Sequence, residues 1–179
     1  MLLRRARPDD ALRVAQVHVR SWQAAYAGLL PADFLDGLDP ARRALHYIFG
    51  TDRDDVVETV VAEEEDRILG FATVGPTRDL DAPGAGEVFG LYVDPDCWRR
   101  GCGSLLMSDA RARLAGRGHR GAVLWVLEGN SRAEVFYQAD GWAPDGTERD
   151  EDIGPGWRAA SAAGCAIPTI HEFRMRRRL

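Results

Sequence analysis

Residues 87–106 read E-V-F-G-L-Y-V-D-P-D-C-W-R-R-G-C-G-S-L-L, and the arrangement of the whole chain follows from how this stretch is read. Glu87, Phe89, Leu91 and Val93 alternate with Val88, Gly90 and Tyr92, the two-residue period of a strand with little polarity on either face. Asp94-Pro95-Asp96 breaks the run. From Ser104 onward Leu105, Leu106, Ala110 and Leu114 take helical spacing. The join between strand and helix therefore falls on Arg99-Arg100-Gly101-Cys102-Gly103-Ser104.

That join has a chemical reading. The first amides of a helix have no intrahelical partners, and the macrodipole puts partial positive charge there. Gly101 and Gly103 let the backbone approach a bulky anion, and two arginines add full charge. Such a helix start suits phosphate or pyrophosphate; the alternative is a tight turn that merely uses glycine. A P-loop needs a lysine, and the chain has none. The dinucleotide fingerprint needs a third glycine, where Leu106 stands.

The segment V-x-P-x-x-W-R-R-G-C-G-S-L-L resembles the acyl-CoA-binding motif of the GNAT superfamily of N-acetyltransferases, whose signature is [Q/R]-x-x-G-x-[G/A]. Gly101 and Gly103 match, and Trp98 takes the place of the usual Gln or Arg. Downstream, residues 123–142 read V-L-W-V-L-E-G-N-S-R-A-E-V-F-Y-Q-A-D-G-W. This is similar to the family's second motif, N-x-x-A-x-x-[FL]-Y-x-x-x-G-[FW], with Asn130, Ala133, Phe136, Tyr137, Gly141 and Trp142 in register. Asn130 also suits a helix N-cap.

The resemblance implies an α/β (α+β) fold in one domain over residues 1–179. Its sheet is mixed, mostly antiparallel, of six or seven strands flanked by four or five helices and splayed between the fourth and fifth strands. It implies acetyl-CoA as cosubstrate and no metal. Arg99, Arg100, Gly101, Cys102, Gly103 and Ser104 would hold the pyrophosphate, with Asn130 beside them. Leu91, Tyr92 and Val93 would run alongside pantetheine, and the Leu91 N–H would face the acetyl oxygen. Gly90 fits a bulge at that point. Homodimers are common among such proteins.

Acyl transfer to an amine sets further requirements. A free alkyl amine, with a pKa of about 10.4, is mostly protonated near neutrality, so a base must accept its proton. The departing thiolate, whose thiol pKa is about 8.5, gains from a donor. The developing negative charge wants a pre-aimed N–H. Tyr137 matches the family tyrosine that protonates the thiolate; its alternative role is packing on the sheet. Glu87 is the candidate base, directly or through water, or else an ordinary strand-end carboxylate. Family members that acetylate protein N-termini carry a glutamate five residues before the motif asparagine; Trp125 stands there instead, which points away from that substrate class.

Composition agrees with a globular chain: 179 residues, 45% hydrophobic, 28% charged, net charge −5. The acidic balance argues against a general nucleic-acid binder. Arg174, Arg176, Arg177 and Arg178 read as a solvated strand end. No apolar run has membrane-spanning length, and Met-Leu-Leu-Arg-Arg is charged too early for a signal peptide. Three cysteines, Cys97, Cys102 and Cys165, suit a reducing cytoplasm. Arginine without lysine suggests a GC-rich, bacterial genome. His18, His46, His119 and His171 are scattered and lack metal-ligand spacing with the cysteines.

In chain order, residues 2–7 form a first strand and Pro8-Asp9-Asp10 starts a helix that runs to about Ala27. Trp22 and Tyr26 share a face of it and either pack in the core or line the pocket of a small-molecule amine. Trp125 has the same two readings. Short helices are expected over 29–35 and from Pro40 to about Phe49. Residues 56–62 and 68–74 form a hairpin across the acidic turn 63–66, and 78–86 a loop. A helix over 104–115 precedes a strand over 121–127. Residues 143–164 read as loop, and a strand over 167–176 closes the sheet. Two functions fit: an N-acetyltransferase acting on a small primary amine in a ternary complex, or a non-catalytic acyl-CoA-binding sensor. Tyr137 and Glu87 favour the enzyme.

Overall fold

The computed structural model describes residues 1–50, 57–153, 157 and 167–179. Seven strands form one sheet: β1 (Leu2–Arg5), β2 (Glu58–Glu64), β3 (Arg67–Pro76), β4 (Gly86–Val93), β5 (Gly121–Leu127), β6 (Ala143–Asp152) and β7 (Thr169–Arg178). Their spatial order is β1-β2-β3-β4-β5-β7-β6, antiparallel throughout except for the parallel β4–β5 pair. Five helices accompany it: α1 (Ala11–Ala25), α2 (Ala32–Asp36), α3 (Pro40–Ala44), α4 (Cys102–Gly116) and α5 (Ser131–Ala139). The mixed, mostly antiparallel sheet expected from the sequence is present. Among the described residues no helix is long and apolar enough to cross a membrane.

The β2–β3 hairpin turns on Glu65 and Asp66, whose φ of 49° and 61° supply the mirror-image turn that matches strand twist. Helices cover both faces of the sheet. On one face α1 buries Val14, Val17, Val19 and Trp22, and Trp22 joins Phe34, Leu35 and Leu127 in a common cluster. On the other, α4 buries Leu106, Met107, Ala110 and Leu114 at spacings of one, three and four. Met107, Ala110 and Leu114 pack on Val74, Val88, Leu124 and Met175. Leu114 and Met107 are fully enclosed, each worth roughly 2–3 kcal/mol of apolar burial. With α1 and α4 pinned to opposite faces, the end of β4 is fixed between them.

Several boundaries differ from the sequence reading. Helix α4 starts at Cys102, two residues before Ser104, because Gly101 with φ 84° turns the chain directly into it. Helix α1 ends at Ala25. The third helix spans only Pro40–Ala44, and the second begins after Pro31. Val56 of the expected hairpin, 154–156 and 158–164 of the expected loop, and 165–166 lie outside the described residues.

Two differences matter more. Residues 143–152, expected as loop, form the edge strand β6, so β7 is an interior strand. The sequence T-E-R-D-E-D carries no apolar alternation, and the strand is held by backbone pairing and opposed charges. Arg149 sits across from Glu172, and Asp150 across from His171, with bonds of 2.7 and 2.8 Å. Arg174 is not a solvated strand end: its side chain is 3% exposed. All five guanidinium donors are engaged: Nε to Asp145 (2.9 Å), Nη1 to Asp79 (3.1 Å) and Asp81 (2.7 Å), Nη2 to Asp81 (2.7 Å) and Thr147 (2.9 Å).

Candidate active site

The β4–β5 pair has only two rungs, Gly86 with Ala122 and Glu87 with Val123. Beyond Glu87 the strands part, and a cavity of about 680 Å³ opens between them, within the usual range for a ligand site. The β3–β4 ladder slips between Val88 and Gly90, leaving Phe89 as the extra residue. The bulge expected at Gly90 is thus present one residue earlier, and it helps to turn the rest of β4 away from β5. Leu91, Tyr92 and Val93 line the cavity. On their β5 side the main-chain polar groups have no ladder partner; the Val93 carbonyl accepts the Trp98 indole N–H instead, and the Leu91 groups are left for a ligand.

At one end of the cavity lies the arginine-glycine loop. Arg99 and Gly101 both adopt left-handed φ, 58° and 84°, a concave turn of the kind that gathers N–H groups around an anion. Gly101 serves as the N-cap of α4, and the Leu105 N–H already reaches the Gly101 carbonyl at 3.0 Å. The amides of Cys102, Gly103 and Ser104 precede that bond and lack intrahelical acceptors. A Cβ on Gly103 would meet Phe136 at 3.5 Å and Val93 at 3.8 Å, so the helix start packs close against α5 and the end of β4. Arg99, Gly101, Gly103 and Ser104 line the cavity, and these groups fit a diphosphate. Arg100 lies outside the cavity wall. Cys102 contributes its backbone only; its thiol is buried, and burial pushes its pKa up to about 11, the wrong direction for a nucleophile.

Trp98 does not leave a hole where the motif expects Gln or Arg. Its indole N–H donates to the Val93 carbonyl at 2.8 Å, tying the loop to the end of β4. Arg132, in the first turn of α5, stacks on its ring at 3.3 Å. A cation is therefore held beside the loop by a residue the motif reading passed over. Asn130 caps α5, accepting the Ala133 N–H at 3.3 Å, and lines the cavity with Ser131 and Arg132. We expect Arg132→Ala to weaken coenzyme A binding about tenfold by calorimetry, more at low salt than at high; an unchanged affinity would remove it from the anion site.

The middle of the cavity is a group of phenols. Tyr137 on α5, Tyr92 on β4 and Tyr26 just past α1 all line it. Burial pushes each phenol above its ordinary value, and Tyr92 adds to the rise at Tyr26 and Tyr137. Tyr137 consequently keeps its proton across the neutral range. Trp22 packs on Trp157 at 3.9 Å and on Tyr26 at 4.9 Å, and it also lines the cavity.

Two carboxylates border the far end. Glu87 is 1% exposed; Oε1 accepts the Arg78 guanidinium at 2.9 Å, and Oε2 the Arg78 amide at 3.0 Å and the Thr77 hydroxyl at 3.4 Å. Glu172 on β7 is opposite Leu127, the last residue of β5, and was not singled out by any motif. Trp125 lines the same wall; its N–H donates to Asp79 at 3.2 Å, and Arg149 lies over its ring at 3.9 Å. The signal for Glu172 was weak because β6, which brings Arg149 to it, has no strand-like pattern.

The family profile described as the acetyltransferase (GNAT) family matches residues 18–142. An uncharacterized N-acetyltransferase of Bacillus subtilis, YuaI, is 28% identical over 176 residues, 89% of this chain and 94% of that protein. A probable N-acetyltransferase of Mycobacterium tuberculosis is 26% identical over 145 residues, covering 80% of each. The PaiA N-acetyltransferase from Thermoplasma acidophilum, solved in complex with coenzyme A, superposes with a TM-score of 0.70 over 99% of this chain and 98% of that one, at 16% identity. The chain belongs to the GNAT family, and it is an acyl-CoA-dependent acetyltransferase.

Proposed function

We propose that this protein moves an acetyl group from acetyl-CoA to a primary amine of a small molecule, directly, with both substrates bound. The observation that carries the reading is one continuous cavity running from the Arg99–Ser104 loop past the Tyr137 phenol to Glu87 and Glu172. Acetyl-CoA supplies the activated acetyl group. The loop amides and Arg99 hold its diphosphate, with Asn130 and Arg132 alongside, and residues 91–93 align its pantetheine arm. The Leu91 N–H faces the acetyl oxygen and steadies the charge that gathers there.

Tyr137 gives its proton to the sulfur as the C–S bond breaks. A thiolate expelled beside the largely apolar walls of the cavity is itself raised in basicity, which favours transfer from a phenol. Trp22, Tyr26 and Trp125 bound the amine's end. The proton lost by the amine goes to a carboxylate of that end, Glu87 or Glu172, directly or through water. The sheet takes in strands from both ends of the chain, which supports one domain over 1–179. Free, buried Cys97 and Cys102 suit the cytoplasm.

Thiol release from acetyl-CoA across a panel of primary amines tests this. A transferase gives amine-dependent release. A sensor binds coenzyme A and turns over nothing.

A further inference from the structure

The proposed function leaves open which carboxylate serves the amine, and the hydrogen bonds around the two are unequal. Both oxygens of Glu87 are occupied, by Arg78 and Thr77. Glu172 receives two bonds from Arg149, Nε at 3.0 Å and Nη2 at 2.7 Å, and both fall on Oε2. Among the described residues Oε1 accepts none. Glu87 also sits at the last paired rung of β4 and β5, where the cavity closes. Glu172 lies beside Leu127, where the two strands have parted. It is near enough to Tyr26 and Tyr92 to raise both phenols.

We infer that Glu172 is the catalytic base and the ammonium-binding group of this acetyltransferase, with Oε1 as the working oxygen. The inference rests on the transferase reading. The arriving ammonium is drawn to Oε1 and sheds one proton to solvent, and the neutral amine attacks the acetyl carbon. As the N–C bond forms, the nitrogen becomes acidic and its proton passes to Oε1. The C–S bond breaks, and the thiolate takes the Tyr137 proton. Arg149 fixes the carboxylate through Oε2 and is itself stacked on Trp125. Glu87, locked to Arg78, shapes the closed end of the cavity.

The charged and titratable groups around Glu172 come from every side. Arg149 and Glu151 face it from β6, Arg78 from the loop after β3, Tyr26 from the end of α1 and Tyr92 from β4. Burial pushes its carboxyl above the ordinary value; Arg149 and Arg78 pull it down and Glu151 pushes it up, and the net shift is upward. A base acts when ionised, so kcat/KM should fall as pH drops through this raised value, an acidic limb above the usual glutamate range.

The experiment is the pH profile of acetyl-CoA-dependent thiol release with a primary amine, for the parent, E172Q and E87Q. The amide of E172Q can still accept from Arg149, which preserves the strand pairing. E172Q is expected to lower kcat/KM for the amine about 10²-fold and to abolish the acidic limb, while the coenzyme A dissociation constant stays at the parent value. E87Q is expected to keep the limb. An E172Q protein with the parent rate and limb, or a limb lost in E87Q instead, overturns the assignment and leaves the transferase reading standing. A parent that binds coenzyme A yet releases no thiol with any amine overturns both.

Discussion

Tyr137→Phe is expected to lower kcat about 10²-fold or more while the dissociation constant of coenzyme A is unchanged. The change removes one oxygen and leaves the ring where it packs, with Phe136 at 5.3 Å and the cluster of Trp142 and Met107 beyond. Loss confined to kcat marks a group needed in the transition state and not in binding. Steady-state kinetics with calorimetry decide it. A phenylalanine variant with the parent kcat would leave Tyr137 as a packing residue only.

Arg174→Met is expected to cost about 3 kcal/mol of stability, since it strands two carboxylates that are mostly out of water. Asp79 and Asp145 are 13% and 15% exposed and would lose their cation. Asp81, 60% exposed, would rehydrate at little cost. For a chain of this length the loss corresponds to a drop in Tm of roughly 6–12 °C. The effect should also reach the site. Asp79 accepts the Trp125 N–H, so loosening it frees one wall of the amine's end and raises KM for the amine before kcat changes. A Tm within a degree or two of the parent's would show that the five bonds to Arg174 carry no net stabilisation.

The motifs proposed to hold the coenzyme are readable because they lie along the backbone. Gly101, Gly103, Asn130 and Tyr137 sit at fixed spacings along one strand-loop-helix unit each, and a spacing survives in a string of letters. The splaying of β4 from β5 is implied by the resemblance to the family, and Gly90 fits a bulge there. The end of the cavity proposed for the amine is assembled across the sheet instead. Glu172 meets Arg149 through the β6–β7 pairing, 23 residues apart, and neither strand face is apolar enough to announce β6. Arg174 reads as surface charge until Asp79 and Asp81, from the loop after β3, and Asp145, from β6, are seen to converge on it. Trp98 and Arg132 likewise find each other only when α5 folds back against the loop before α4.

The parting of β4 from β5 has a mechanical side. With two rungs between them, the sheet is two rafts moored at one corner, β1-β2-β3-β4 and β5-β7-β6. In the proposed complex a pantetheine arm laid along residues 91–93 would replace the missing rungs, so the coenzyme would be a temporary strand as much as a substrate. Amide protons of 88–93 should then exchange more slowly once it binds, and each turnover would end by unmooring the rafts again.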